Sequence, residues 1–137
     1  MDNNTQQARF QFVRYLIDQC SVNLTGKELS KEMVFAINPE GVFNEKDKTF
    51  ELVLNLVVND KDHNLDLNMR IHGYFTYDGN NMDEVRSFIG INSPAILFPY
   101  VRAYVSNITA LGGMPPVIMP TLNLKRVGEQ LVKDLSV

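Results

Sequence analysis

The sequence lacks several features that would place it in a particular class of protein. It has no tryptophan and only one cysteine, Cys20, among 137 residues, which excludes an intrachain disulfide and favours a reducing compartment. The formal net charge of −3 and the absence of a lysine and arginine stripe argue against nucleic acid. No apolar run approaches the length of a membrane span. The polar start, Met1–Gln7, does not resemble a cleaved export signal, and we expect a cytoplasmic protein without membrane insertion.

Histidines are scarce, and neither of the two is placed for catalysis or metal binding. His63 lies in a polar stretch and His72 on the polar face of a predicted strand. Neither has a cysteine or carboxylate at a metal-ligand spacing, so we interpret both as solvated surface residues. Cys20 has no nearby base and is interpreted as a packed thiol. The sequence therefore predicts no catalytic residue, no metal site and no cofactor.

The first half of the chain has the period-two alternation of antiparallel strands. It is clearest over 49–60 and 64–77, where apolar residues take every second position. The polar residues between these runs indicate a hairpin loop. A further strand is expected over 10–22. Its apolar residues change from even to odd positions near Arg14, and either a bulge or burial of both faces of the strand would explain the change. A shorter strand is expected over 33–37.

The second half of the chain has helical patterns. A short helix is predicted to end at Gly90, and a helix start at Pro94 would be capped by Ser93. Because Pro99 cannot lie inside a regular helix, the main helix is predicted to begin near Phe98. A last helix over 123–135 would be capped by Asn123. Strands followed by helices indicate an α+β fold with the helices on one face of a sheet. The length fits a single domain, 1–137.

The main predicted helix has an unusually apolar surface, with Arg102 as its one charged residue. Its opposite face holds small or neutral residues, which would allow another protein element to approach closely. That element is either a second copy of the chain or the last helix with the loop before it. The apolar face is expected to contain Leu97, Val101, Tyr104, Val105, Ile108 and Leu111, and the back of the helix Ala103, Ser106, Asn107 and Ala110.

Two predicted loops are more apolar than connections usually are. The segment "GGMPPVIMPTL" joins the two long helices, and "LTGKELSKEMVF" joins the first two strands. Such loops either pack on the body of the protein or line a groove. Methionine suits a groove that accepts varied partners, because its thioether is flexible and polarisable. The residues alone leave both alternatives open.

The stretch "SPAILFPYVR", followed by "LGGMP" and "LNL", resembles the bacterial export chaperone family SecB. The family has a characteristic P-x-I-L-F-P-Y-x-R run, and Pro94, Phe98, Pro99, Tyr100 and Arg102 are among the matching residues. Upstream, "FQFVR" and "HGYFTY" are similar to the first strand and to a Gly-aromatic strand end of the family. The resemblance covers most of the chain.

This resemblance implies an α+β fold: a four-stranded antiparallel sheet with two main helices packed on one side. It implies a homotetramer, a dimer of dimers, and a chaperone that holds unfolded precursor proteins for export without ATP. A branch of SecB-like proteins instead guards an antitoxin, and a third alternative is an assembly or ligand-binding module without a client role. The implied client groove contains Leu24, Leu29, Met33, Met114, Val117, Ile118 and Met119. The implied oligomer interface contains Tyr100, Ala103, Tyr104, Asn107 and Ala110.

The sequence also departs from the family at positions that bind a partner. In export-dedicated members, acidic residues of the first strand and the exposed sheet face dock the export motor SecA. The matching residues here are Gln19, Asn23 and Asn68, and none of them is charged. The sequence therefore predicts that docking of SecA is weak or absent.

Overall fold

The computed structural model describes residues 10–137. The polar start, Met1–Gln7, which argued against an export signal, lies outside them. Four strands come first and the helices follow, as predicted. The strands are β1 (Phe10–Leu24), β2 (Met33–Asn44), β3 (Thr49–Asp60) and β4 (Leu65–Tyr77). The helices are α1 (Met82–Ser87), α2 (Ser93–Leu111) and α3 (Leu124–Leu135), with a π-helical turn over Phe88–Asn92.

The strands form one antiparallel sheet in the order β1-β4-β3-β2. β3 and β4 form the predicted hairpin at its centre, with Leu54 opposite Ile71. β1 and β2 form the two edges, so the loop between them crosses from one side of the sheet to the other. Alternate residues of the central strands are buried against the helices, because successive side chains of a strand point to opposite faces.

The two edge strands differ from the sequence prediction in register and in length. β1 shifts register between Phe12 and Arg14 and again between Ile17 and Gln19. A bulge at the first of these places was one of the two predicted explanations. β2 is much longer than predicted and continues through Pro39 to Asn44. A proline is tolerated there because β2 is an edge strand, where one side of the backbone needs no ladder partner.

The helical path from α1 to α2 is continuous, so three local predictions were wrong. Gly90 does not end a helix but lies within the π-helical turn. Ser93 is buried and its hydroxyl donates to the Ile89 carbonyl at 2.6 Å, so it is not a cap. α2 begins five residues before Phe98 and contains Pro99. Pro99 and Ala95 are both exposed, and water can therefore reach the backbone where the proline removes a hydrogen bond.

α3 packs on the π-helical turn through two glycines. A Cβ atom placed on Gly128 would lie 1.7 Å from the carbonyl oxygen of Gly90, so the two backbones are in direct contact. Leu131 of α3 is buried beside this contact. Asn123 caps the helix as predicted, since its side chain accepts from the backbone N–H of Arg126 at 3.2 Å.

Most of the back of α2 is exposed within residues 10–137. Tyr100, Ala103, Asn107 and Ala110 are exposed, whereas Tyr104 is half-buried. Ser106 is half-buried and donates to the Val117 carbonyl in the loop before α3. The alternative that α3 and this loop cover the face therefore holds only at its edge, and most of the face stays exposed. Leu111, predicted to belong to the apolar face, is 87% exposed, because it is the last residue of the helix.

Candidate functional site

The two apolar loops meet and line one groove. The groove has a volume of about 880 Å³ and lies between the β1–β2 crossover loop and the α2–α3 loop. Leu29 contributes from the crossover loop and Met33 from the start of β2. Met114, Val117 and Ile118 contribute from the other loop. The loops come together because β1 and β2 are opposite edges of the sheet, so the crossover must pass the end of α2.

The groove includes five of the seven residues predicted for it. Ile118 is the most available of them, with 68% of its surface exposed. Met119 is only 1% exposed and belongs to the protein core, so its prediction as a groove residue was wrong. Leu24 does not line the groove either; its side chain lies beside Gly112, at the end of α2. Phe35 lines the groove and was not predicted.

A buried aspartate, Asp60, fixes the crossover loop to the central hairpin. Its carboxylate accepts from the backbone N–H of Ser30 at 2.9 Å and of Leu65 at 3.0 Å. Burial acts to raise the pKa of Asp60, but these backbone donors outweigh it and lower that pKa below its usual value. Asn64 adds a second tie by donating to the Glu28 carbonyl at 3.1 Å. One wall of the groove is therefore held in place by a charge-assisted network.

A buried threonine fixes the other wall. Thr109 of α2 accepts from the backbone N–H of Val117 at 2.9 Å, and Ser106 donates to the Val117 carbonyl at 3.0 Å. Both backbone groups of Val117 are thus bonded to the helix, and Val117 and Met119 pack inward while Ile118 between them points out. Proline stiffens the same loop at positions 115, 116 and 120.

A second hollow continues from the groove along the β2 edge of the sheet. It has a volume of about 520 Å³ and lies between β2 and α3. Phe35 lines both hollows, so they share a wall. Ile37, Leu122 and Val127 add apolar surface. None of these residues was predicted; the alternation of Met33, Phe35 and Ile37 along one strand was the available signal.

The outer face of the sheet, opposite the helices, holds a buried histidine. His72 was predicted to be solvated, but it is only 8% exposed. Its Nδ1 lies 2.6 Å from Glu51 and its Nε2 lies 2.9 Å from Asp18. Burial acts to lower the pKa of His72, but the two carboxylates outweigh it and raise that pKa above its usual value. His72 in turn lowers the pKa of Asp18. The cluster joins three strands.

Other residues singled out from the sequence lie on the surface. Gln19, Asn23 and Asn68 are exposed on β1 and β4, and His63 is exposed beside Asp66 at 2.8 Å. Cys20 is also exposed, which corrects its prediction as a packed thiol; it lies in β1, an edge strand.

Within residues 10–137, no group of three or more His, Cys, Asp and Glu side chains is arranged to hold a metal ion. In the same part of the chain, no helix combines the length and apolar character needed to cross a membrane.

These features define a class of protein. A four-stranded antiparallel sheet with two long helices on one face, and an apolar groove formed by its crossover loop, is the architecture expected of a SecB-like chaperone. The family described as "Preprotein translocase subunit SecB" matches residues 30–134. The chain belongs to the SecB family, as the motif around Pro94–Arg102 predicted.

Named relatives are similar to this chain over parts of their length. The uncharacterized protein MJ0357 of Methanocaldococcus jannaschii is 50% identical over 58 residues, which are 42% of this chain and 37% of the relative. The protein-export protein SecB of Ehrlichia canis is 38% identical over 54 residues, 39% of this chain and 30% of the relative. For the SecB of Alcanivorax borkumensis the match is 29% over 86 residues, 59% of this chain and 55% of the relative. The matches thus span about a third to a half of these relatives.

A solved structure with the same fold is the Mycobacterium tuberculosis Rv1957 SecB-like chaperone in complex with a ChAD peptide from the Rv1956 HigA1 antitoxin. The TM-score is 0.68 at 13% identity, and the match covers 84% of this chain and 91% of that one. This similarity confirms the predicted fold class.

Proposed function

We propose that this chain is a cytoplasmic holding chaperone that binds unfolded polypeptides in the groove between its two apolar loops. The observation that carries the proposal is the meeting of these loops around one open, apolar groove with a highly exposed isoleucine, Ile118. Family membership supports the same conclusion. Unfolded clients share no sequence, so their binding site must recognise general features, above all exposed apolar side chains.

The walls of the groove suit this task because they are fixed while their side chains are adaptable. Asp60 and Thr109 hold the two loops, so little ordering entropy is lost on binding. Met33 and Met114 offer flexible thioethers, which adjust to different client side chains. Burial of each apolar anchor contributes roughly 1–2 kcal/mol. No nucleotide takes part in this binding.

The β2 edge offers a second, sequence-independent contact. Among the described residues, 10–137, β2 pairs with β3 alone, and the hollow that continues from the groove runs along it. An extended client can therefore hydrogen-bond to the backbone of β2 while its alternate side chains enter the hollow beside Phe35 and Ile37. Pro39 removes one donor from this edge and limits the length of such pairing.

The uncovered back of α2 is proposed to bind further copies of the chain, giving a dimer of dimers. A contiguous exposed face with Tyr100, Ala103 and Ala110 is typical of a surface that is buried in an assembly. Tyr104 and Asn107 complete the proposed interface. Several copies would place several grooves within reach of one client, and avidity would then raise the overall affinity.

The SecB-like chaperone of Mycobacterium tuberculosis, solved with an antitoxin peptide, supports a second candidate function. In that role the same groove would guard one antitoxin rather than hold many precursors. The two roles differ in selectivity: a guard binds one segment far more tightly than unrelated unfolded chains, whereas a holding chaperone binds all of them with similar affinity. Binding constants for several unrelated unfolded clients distinguish the two.

A matched pair of isoleucines allows a sharp test of the groove. Ile118 in the groove is 68% exposed and Ile91 outside it is 70% exposed. Fluorescence anisotropy with a labelled unfolded polypeptide should show that Ile118→Asp weakens binding about tenfold or more, because a charged side chain replaces an apolar anchor of the client. Ile91→Asp should leave binding unchanged. Equal losses in both variants would show non-specific apolar attraction and contradict the proposal.

A further inference from the structure

Another hollow lies on the helical side of the molecule, between α3 and the path from α1 to α2. It has a volume of about 800 Å³. Its floor is apolar and partly made of small residues: Gly90, Ile91, Ala95, Leu124, Gly128 and Val132. None of these residues lines the proposed client groove or the hollow beside β2. Ile91 is 70% exposed, so part of this apolar surface faces water.

The hollow is a shallow trough between two helical segments. One wall is a stripe of α3 with Leu124, Gly128 and Val132 at four-residue intervals. The other wall is the π-helical turn and the start of α2, and the two walls meet where Gly128 contacts Gly90. Such a trough accepts a third helix, whose outer face stays in water. A small apolar ligand would instead need a pocket that encloses most of its surface.

The rim of the trough on α3 carries a regular charge pattern. Lys125, Glu129 and Lys133 follow one another at four-residue intervals beside the apolar stripe, and all three line the hollow and are exposed. Within residues 10–137 no ion pair joins any of these three side chains to another residue. On the opposite rim, Arg86 is already paired with Asp83. Charged residues that flank an apolar seam between helices determine which helices pair, so the rim of α3 is placed to select a partner helix.

A second copy of this chain does not match the trough. Two copies of α3 would repel each other, because in either direction lysine would face lysine and Glu129 would face Glu129. The exposed back of α2 has Arg102 as its one charged residue, so it offers no carboxylate to the two lysines. The partner helix must therefore come from a different protein.

We propose that this trough binds an amphipathic helix of a partner protein with the complementary charge pattern. Beside its apolar stripe that helix carries an acid, a base and a second acid at four-residue intervals. The two carboxylates lie against Lys125 and Lys133, which are about 12 Å apart along the axis of α3, and the base faces Glu129. This site is separate from the proposed client groove and recognises a folded helix rather than an unfolded chain.

Fluorescence anisotropy with two designed peptides tests the proposal. Each peptide is a blocked, dye-labelled helix of about 16 residues, long enough to be helical in water, with leucines along one stripe. The matched peptide carries glutamate, lysine and glutamate beside the leucines and lysine, glutamate and lysine on its far face. The exchanged peptide has these two patterns swapped, so that composition and net charge are equal. The parent should bind the matched peptide about tenfold more tightly, and added salt should reduce this difference.

Reversal of the rim charges gives a control that loss of folding cannot imitate. The triple variant Lys125→Glu, Glu129→Lys and Lys133→Glu should prefer the exchanged peptide, by a similar factor. Ile91→Asp should weaken the binding of both peptides about tenfold or more, because it places a charge on the apolar floor. Ile118→Asp, in the proposed client groove, should leave the binding of both peptides unchanged.

Other results would overturn the proposal. Equal affinities of the parent for the two peptides would mean that only apolar attraction acts, and a preference that the triple variant does not reverse would show that the rim selects no partner. Loss of binding in Ile118→Asp rather than in Ile91→Asp would show that the peptides bind as clients. If dodecanoate bound more tightly than the matched peptide and lost affinity in Ile91→Asp, the trough would be a site for an amphipathic carboxylate instead of a helix.

Discussion

The contact between α3 and the π-helical turn makes a quantitative prediction for Gly128→Ala. The added Cβ would lie 1.7 Å from the Gly90 carbonyl oxygen, whereas ordinary contact begins at 3.4 Å. The obstacle is backbone, so α3 must move outward and loosen the packing of Leu131. Overpacking costs about 1–3 kcal/mol and partial loss of a buried leucine about 1–2 kcal/mol. Alanine recovers about 1 kcal/mol of helix propensity, which leaves a net loss of about 1–4 kcal/mol.

Urea unfolding followed by circular dichroism measures this loss. With a slope of about 2 kcal/mol per molar urea, the midpoint should fall by about 0.5–2 M. Gly90→Ala is the matched control, because its Cβ would first meet the Val132 side chain at 3.1 Å and the Gly128 oxygen at 3.4 Å, and a side chain can adjust. It should cost clearly less than Gly128→Ala. A Gly128→Ala protein as stable as the parent would show that the two backbones are not in contact.

Three further predictions concern assembly, pH and the export motor. Ala103→Glu should split the assembly, because an unpaired charge would be buried at the interface; light scattering measures the mass. His72→Gln should have a lower free energy of unfolding than the parent, measured by urea unfolding at several pH values. The difference should be complete below about pH 6.5 and should decline as pH rises through the raised pKa of His72. Purified SecA should bind weakly or not at all, because Gln19, Asn23 and Asn68 supply no charge for docking.

Each of these predictions has a contradicting result. A wild-type monomer at micromolar concentration would refute the proposed interface on α2. If the free energies of unfolding of the parent and His72→Gln differ by the same amount at pH 6 and pH 9, His72 is not charged in the cluster. A tight, salt-sensitive complex with SecA would show that the remaining acidic residues suffice for docking.

The local patterns predicted the sheet and the last helix well. The alternation over 49–60 and 64–77 is strong because one face of each strand is buried and the other is polar. The break in parity at Arg14 predicted a bulge as one explanation, and Asn123 predicted a helix start from its capping chemistry. These features depend on neighbours within a few residues, which a sequence displays directly.

Other features depend on partners far away in the chain. Gly90 suggested a helix end, but its role is to let Gly128 approach, 38 residues later. His72 looked solvated because its partners, Asp18 and Glu51, come from other strands. Met119 looked like a groove residue because no neighbour in the sequence shows that this part of the loop is held against α2. The residues that hold it, Ser106 and Thr109, bond to Val117 and lie about ten residues earlier in the chain. Such tertiary contacts override local patterns, and the sequence alone did not predict them.

The most direct test of the chaperone proposal is suppression of client aggregation by Met114→Asp combined with Ile118→Asp. Circular dichroism and light scattering first establish that the variant is folded and assembled like the parent. The double change should weaken apolar binding by roughly 2–4 kcal/mol per groove, and light scattering of a diluted unfolded client should then rise nearly as fast as without chaperone. Ile91→Asp should protect the client like the parent. A double variant that still suppresses aggregation as well as the parent would contradict the assignment of the groove as the client site.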